Sequence, residues 1–133
     1  KQGHSIETPV YDFSTHNRMI ETKTLTSKTL IIIEGILVLH APAIRQWTDY
    51  SVFVGCAEDV RYARRSKRDI VERGRTPDDI ERQFFSQVVP MHREFVEPSR
   101  EHADMVIMDS DHGLRAADVE RFVERCIQLK SSV

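Results

Sequence analysis

The sharpest change of pattern along the chain falls at residues 29–39, "TLIIIEGILVL", where Leu30 to Ile33 run apolar without alternation before Glu34 and Gly35. A half-buried strand alternates apolar and polar residues. A continuous apolar run instead predicts a strand buried on both faces, as in a parallel sheet covered by helices. Two more such runs follow, Tyr50 to Val54 ("YSVFV") and Met105 to Met108 ("MVIM"). Upstream, residues 4–28 read "HSIETPVYDFSTHNRMIETKTLTSK", polar with short β-branched patches. Ile6 and Pro9-Val10 on one arm, with Ile20, Thr22, Thr24 and Thr26 on the other, predict a hairpin that projects from the main body and closes at "DFSTHNR". Pro9 suits an edge position.

Helical patterns separate the apolar runs. "APAIRQWT" predicts a short helix with Pro42 near its start. A long helix is predicted from about Glu58 to Arg73, with Glu58 and Asp59 in its first turn and Gly74 just past its end. Thr76-Pro77-Asp78-Asp79 opens the next, Thr76 as N-cap, Pro77 at the first helical position and Asp79 three residues after the cap. Ile80, Phe84, Val88 and Phe95 are expected on one face of it, with Pro90 kinking or interrupting the run. A last helix, about Arg115 to Lys130, carries an apolar stripe of Val119, Phe122, Val123, Cys126 and Ile127. Strands alternating with helices give an α/β class with a mainly parallel sheet. There is no repeat, low-complexity tract or evident linker.

At 133 residues the chain has the length of one domain, and its 40% hydrophobic and 30% charged residues are ordinary for a globular protein. A formal net charge of -2 offers no global basic excess to attract nucleic acid. Cys56 and Cys126 have neither metal-like nor redox spacing and are expected as buried free thiols of a cytoplasmic protein. No apolar run approaches the ~20 residues of a membrane helix, and no signal-peptide pattern is present. The chain begins Lys1-Gln2-Gly3 without an initiator Met, which fits a processed or excised piece.

Positive charge is concentrated locally. "RYARRSKRDIVERGR", residues 61–75, sets Arg61, Arg64, Arg65, Lys67, Arg68, Arg73 and Arg75 against only Asp69 and Glu72. Spacings of four and three put Arg61, Arg65 and Arg68 on one helix face. Like charges so dense repel unless something anionic is near, and guanidinium forks suit phosphate oxygens. A solvated basic face is the plain alternative, and a nucleic-acid patch, with Tyr62 the only interleaved aromatic, the weaker one. Glu34, expected beyond the carboxyl end of a parallel strand where ligands gather, is a candidate Mg²⁺ ligand or a structural carboxylate. Gly35 lets the backbone turn sharply behind it. Tyr11 and His16, five residues apart on the hairpin, offer an aromatic and an imidazole to a planar base, or are ordinary surface residues. His4, His40, His92, His102 and His112 share no metal spacing.

Four segments taken in order, "PVYDFSTHNR", "IIIEGILVL", "RRSKRDIVERGR" and "PMHREFVEPSREHADMVI", resemble the C-terminal two-thirds of uridine–cytidine kinases, in the phosphoribulokinase/uridine kinase group of P-loop kinases. The resemblance covers about Gly3 to Ile107. It implies a P-loop-kinase-like parallel sheet with flanking helices and a projecting β-hairpin: hairpin about 4–28, core strands about 29–34, 50–54 and 104–108, lid about 58–76. It implies transfer of the γ-phosphoryl of ATP, with Mg²⁺, to the 5′-hydroxyl of uridine or cytidine in pyrimidine salvage. By position, Tyr11, His16 and Arg75 match base-recognising residues, Arg65 and Gln83 residues near the ribose, Arg68 and Arg73 catalytic arginines of the lid that contact phosphate, and Glu34 a carboxylate of the Mg²⁺ shell. Partners are then uridine or cytidine and ATP, with no nucleic acid or membrane, and the family suggests a tetramer in the cytoplasm. The chain departs from the family in one large respect. No G-x-x-x-x-G-K-[ST] loop occurs, and the upstream base Asp and ribose-gripping Asp are not found. The expectation is therefore the C-terminal part of a single kinase domain, inactive alone, whose P-loop strand belongs between the strands at Leu30–Ile33 and Tyr50–Val54. Alternatives are a non-catalytic nucleotide-binding or assembly module derived from a kinase, and a phosphoribulokinase-like sugar kinase, against which Tyr11 and His16 argue.

Overall fold

The structure is a computed structural model and describes residues 3–12 and 17–131. It divides into two compact units, residues 1–32 with 130–133 and residues 33–129.

The first unit is built on the expected hairpin. Strands β1 (Ile6–Asp12) and β2 (Asn17–Leu25) pair antiparallel, Ile6 opposite Leu25 and Asp12 opposite Asn17. The register shifts between Pro9 and Tyr11. A proline has no N–H to give the ladder, so an irregularity there is expected. Across the strands Glu7 accepts hydrogen bonds from the Thr22 and Thr24 hydroxyls at 2.7 and 2.6 Å. Those bonds, Thr24's first, hold its carboxyl below the ordinary value. Nearly every hairpin side chain is exposed, Ile20 by 98%.

The second unit is α/β. Strands β3 (Val52–Cys56) and β4 (Met105–Asp109) pair in parallel, Val52 opposite Met105 and Cys56 opposite Asp109. Both are displaced from the predicted bounds by a residue or two at an end, while their alternating burial puts Phe53, Met105 and Ile107 into the core. A Cβ at Gly55 would meet Met108 Sδ at 2.7 Å, so a larger residue there would have to displace the end of that flexible, exposed side chain. Just before the strands, Asp104 accepts from the backbone N–H and hydroxyl of Ser51 at 2.8 and 2.7 Å, and its own N–H reaches Ser51 Oγ at 3.1 Å. This reciprocal pair fixes the register.

The helices are α1 (Pro42–Arg45), α2 (Glu58–Arg73), α3 (Pro77–Gln83), α4 (Val89–Met91) and α5 (Ala116–Ser131). α2 starts and stops as predicted, and Gly74 ends it in the left-handed conformation at φ 61°. Thr76 caps α3, its hydroxyl accepting from the Asp79 N–H at 3.3 Å and donating to the Asp79 carboxylate at 2.9 Å. Wide π-type turns at Phe84–Val88 and His92–Val96 flank α4 and Pro90. A wide turn spends one extra residue, so Val89 rather than Val88 becomes fully buried beside Ile80 and Phe84.

Two expectations need correction. Residues 29–34 form no strand, and Leu30, Ile31, Ile32 and Ile33 are 41, 65, 67 and 58% exposed. A parallel strand is held only by a neighbour's ladder, and among the described residues β3 pairs with β4 alone, without the intervening P-loop strand that the resemblance calls for. On α5 the inward face is Asp118, Phe122, Cys126 and Leu129, whereas Val119, Val123 and Ile127 of the predicted stripe are exposed. Cys56 and Cys126 are free thiols but only half-buried. Among the described residues, no helix is long and apolar enough to cross a membrane.

Candidate functional site

The basic segment folds around a carboxylate. α2 turns Asp69 inward until it is fully buried, at 0% exposure. Four guanidiniums surround it: Arg68 at 3.0 Å, Arg73 at 3.4 Å, and Arg65 and Arg75 at 3.5 Å. Spacing explains three of these contacts, because Arg65 and Arg73 stand four residues either side of Asp69 and Arg68 is adjacent. The fourth depends on the helix end. The Gly74 N–H bonds to the Asp69 carbonyl, and the Arg75 N–H reaches the same oxygen at 3.1 Å. The chain thereby turns back and aims Arg75 at the carboxylate below it.

Burial alone would raise the Asp69 carboxyl. The Arg68 hydrogen bond and the charges of Arg68, Arg73 and Arg65 overcome that, and the net shift is downward. Repulsion within the basic run is thus relieved by an internal anion, yet one carboxylate against four guanidiniums leaves a positive excess.

A second layer joins α2 to α3. Gln83 Oε1 accepts from Arg75 at 2.6 Å and from Arg65 at 3.0 Å, and Arg75 also reaches the Asp79 carbonyl at 3.4 Å. Arg65, Arg75 and Gln83, singled out separately in the sequence, therefore form one connected group. Beside it opens a polar cavity of about 320 Å³ lined by Arg75, Asp79, Arg82, Gln83, Ser86 and Gln87. Asp79 is held below its ordinary value, first by the Thr76 hydroxyl and then by the charge of Arg82, with which it pairs closely. Underneath, Tyr62 of α2 packs on Phe84 and Phe85, with ring centroids 5.1 and 5.3 Å away.

At the carboxyl end of β4, Arg64 forks onto the Asp109 carboxylate and donates to the Ser110 carbonyl at 2.6 Å. The sequence reading attached no role to this pair. Asp109 is held low chiefly by that hydrogen bond.

Tyr11 is on β1 of the hairpin unit, and His16 falls outside the described residues. Glu34 is exposed, in a segment without strand structure, so the expected delivery of this carboxylate by a strand is not seen. It makes no ion pair with the arginines. Among the described residues, no group of three or more His, Cys, Asp or Glu side chains could enclose a metal ion. Asp69 is the residue whose importance the sequence concealed. Its one signal was its place midway between Arg65 and Arg73.

The chain is similar to known proteins over most of its length. The sequence model of the Phosphoribulokinase / Uridine kinase family matches residues 1–114. A uridine kinase of Clostridium perfringens is 44% identical over 117 residues, covering 88% of this chain and 56% of that protein. One of Clostridium botulinum is 46% identical over 114 residues (86% and 55%), and one of Shewanella halifaxensis 42% over 119 (90% and 56%). The chain thus spans a little over half the length of these curated relatives.

Proposed function

We propose, for a chain that belongs to the phosphoribulokinase/uridine kinase family, that it forms the acceptor-binding and lid portion of an ATP-dependent kinase acting on the 5′-hydroxyl of uridine or cytidine in pyrimidine salvage. The observation that carries this reading is the connected group of Arg65, Arg75 and Gln83 above the Asp69 hub, with its positive excess and adjoining polar cavity. Arg75 and Gln83 present a donor and a donor–acceptor amide to a nucleoside, with Arg65 beside them. Arg68 and Arg73, 44 and 53% exposed in their side chains, are free enough to turn from Asp69 toward phosphate oxygens. Phosphoryl transfer depends mainly on positioning and charge neutralisation, which are what such groups supply. Tyr11 and His16 are assigned to the pyrimidine base.

Glu34 suits Mg²⁺ in one respect: an exposed carboxylate with no ion pair among the described residues can provide the single protein ligand that Mg²⁺ accepts when phosphates and water complete its shell. The ion would neutralise phosphate charge there. The 133 residues contain no G-x-x-x-x-G-K-[ST] loop, so turnover is assigned to the whole kinase polypeptide and nucleoside recognition to this chain.

The test compares uridine, cytidine and ribulose 5-phosphate as acceptors for the complete polypeptide with Mg-ATP. Formation of nucleoside 5′-monophosphate with the first two supports the reading. Phosphorylation of ribulose 5-phosphate in their place would replace it with a sugar kinase. Nucleotide binding without turnover would replace it with a binding module.

A further inference from the structure

We infer that Asp69 is a positioning residue for the acceptor site, acting through Arg65 and Arg75. The inference rests on the nucleoside-kinase reading for its substrate and on geometry for everything else. A side chain at 0% exposure cannot touch a ligand, so any influence Asp69 has on the reaction passes through its neighbours. Those neighbours are the residues assigned to the nucleoside. Arg65 Nε and Arg75 Nη1 both face Asp69 Oδ2 at 3.5 Å, while Arg65 Nη2 and the same Arg75 Nη1 donate to Gln83 Oε1 and Arg75 Nη2 reaches the Asp79 carbonyl.

Arg65 is therefore held at two nitrogens, by the Asp69 charge and the Gln83 amide, and Arg75 likewise at two, its Nη1 shared between Asp69 and Gln83 and its Nη2 on the Asp79 carbonyl. An arginine has several rotatable bonds, and a fork fixed at one edge only still swings. The second anchor removes that freedom before a substrate arrives, lowering the ordering cost of binding. Asp69 Oδ2 and Arg65 Nε are also both buried without a hydrogen-bond partner. An approach of about half an ångström would bring them to hydrogen-bond distance, so the pair is set to tighten when a ligand draws Arg65 and Arg75 together. Asp69 contributes in the main chain as well, because its carbonyl accepts from both N–H groups of the turn that places Arg75. A substitution of its side chain leaves that contribution intact, so the effect of the carboxylate can be isolated.

The experiment is a double-mutant cycle in the complete kinase polypeptide containing this chain: wild type, Asp69→Asn, Arg75→Ala and the double variant. The KM for uridine is measured alongside the melting temperature. Positioning predicts that Asp69→Asn raises KM about tenfold or more but by a clearly smaller factor in the Arg75→Ala background, where only the route through Arg65 remains, as coupled neighbours do. Independent effects that multiply, or an unchanged KM, would overturn it. A purely structural role lowers the melting temperature equally in both backgrounds and gives no such coupling. If Asp69→Asn does not fold, Asp69→Glu, which keeps the charge one methylene further out, takes its place in the cycle under the same criterion. Arginine-selective NMR separates this inference from the function on which it rests. In wild type the Arg65 and Arg75 Nε–H signals should be sharp and slow to exchange, and in the variant broadened. If the wild type does not phosphorylate uridine, the nucleoside reading falls, while these signals still decide whether Asp69 orders the arginines. Signals alike in both proteins would overturn the inference by itself.

Discussion

Phe84 is the residue on which the join between α2 and α3 depends most. It is 1% exposed, stands edge-on to Phe85 with centroids 5.2 Å apart, and lies 5.1 Å from the Tyr62 ring of α2. Replacement by alanine removes a fully buried ring and leaves a cavity between the two helices. Phe→Ala in a core costs about 3–5 kcal/mol. With a urea m-value of about 2 kcal/mol per molar, that is a fall of roughly 1.5–2.5 M in the unfolding midpoint. Phe85 provides the control. It belongs to the same ring cluster but is 48% exposed, so Phe85→Ala should cost only about 1 kcal/mol, near 0.5 M. Urea titration followed by far-ultraviolet circular dichroism measures both, and m should be the same in the three proteins. Equal midpoint shifts for the two variants would refute the argument, because burial would then not set the cost. The same loss should loosen Arg65 against Gln83, since Tyr62 rests on this ring three residues before Arg65 on the helix.

Three further outcomes are expected. Thr76→Ala should destabilise the protein by about 1 kcal/mol through loss of the α3 cap, with Thr76→Ser close to wild type; thermal melts of both variants check this. Burial, and next the charge of Arg61, push His92 below its ordinary value. The unfolded chain then takes up a proton that the folded protein refuses, so the stability is present above about pH 6.5 and is lost as pH falls toward the depressed value. Melting temperature should therefore rise with pH across roughly pH 5 to 7, and His92→Gln should flatten that slope; an unaltered slope would exclude His92 as its source. Gln83→Leu keeps the shape but deprives two guanidiniums of a shared acceptor. Hydrogen bonds to charged groups contribute about 1.5–3 kcal/mol each, less where water can substitute. A rise of about tenfold in the KM for uridine, near 1.4 kcal/mol, is expected in the complete polypeptide, together with a lower melting temperature, because both bonds are present before substrate binds.

Local signals carried far in this sequence. The ends of α2, the Thr76 cap with Pro77 at the first helical position, and the hairpin were all readable, because each depends on residues within a few positions of one another. Readings that depended on distant partners fared differently. The burial of Leu30–Ile33 follows from an unbroken apolar run, but a strand exists only against a neighbour, and the segment lies exposed, with no strand partner among the described residues. The α5 stripe failed by a rotation of the helix. A mean apolar face does not say which edge packs, and Asp118, pairing with Arg115 and Arg121, took an inward position that polarity alone would deny it. The two wide turns around Pro90 shifted the α3 periodicity by a residue for a related reason: the ring leaves a gap in the helical ladder that no periodic template contains.

The candidate site divides along the same line. Counting charges in residues 61–75 identified a basic cluster and required an anion to make it tolerable. It did not distinguish an internal anion from an external one, and the structure contains the internal one. Asp69 at once weakens and strengthens the case for phosphate. It weakens it because the cluster no longer needs a ligand to persist. It strengthens it because one buried carboxylate cannot balance four guanidiniums, and the two that it holds most openly, Arg68 and Arg73, are those assigned to phosphate, while the two gathered by Gln83 are those assigned to the nucleoside. A solvated basic face would have no reason to bury an acid at the centre of the cluster. A site that must keep its arginines ordered between turnovers, yet release two of them to a substrate, does have such a reason.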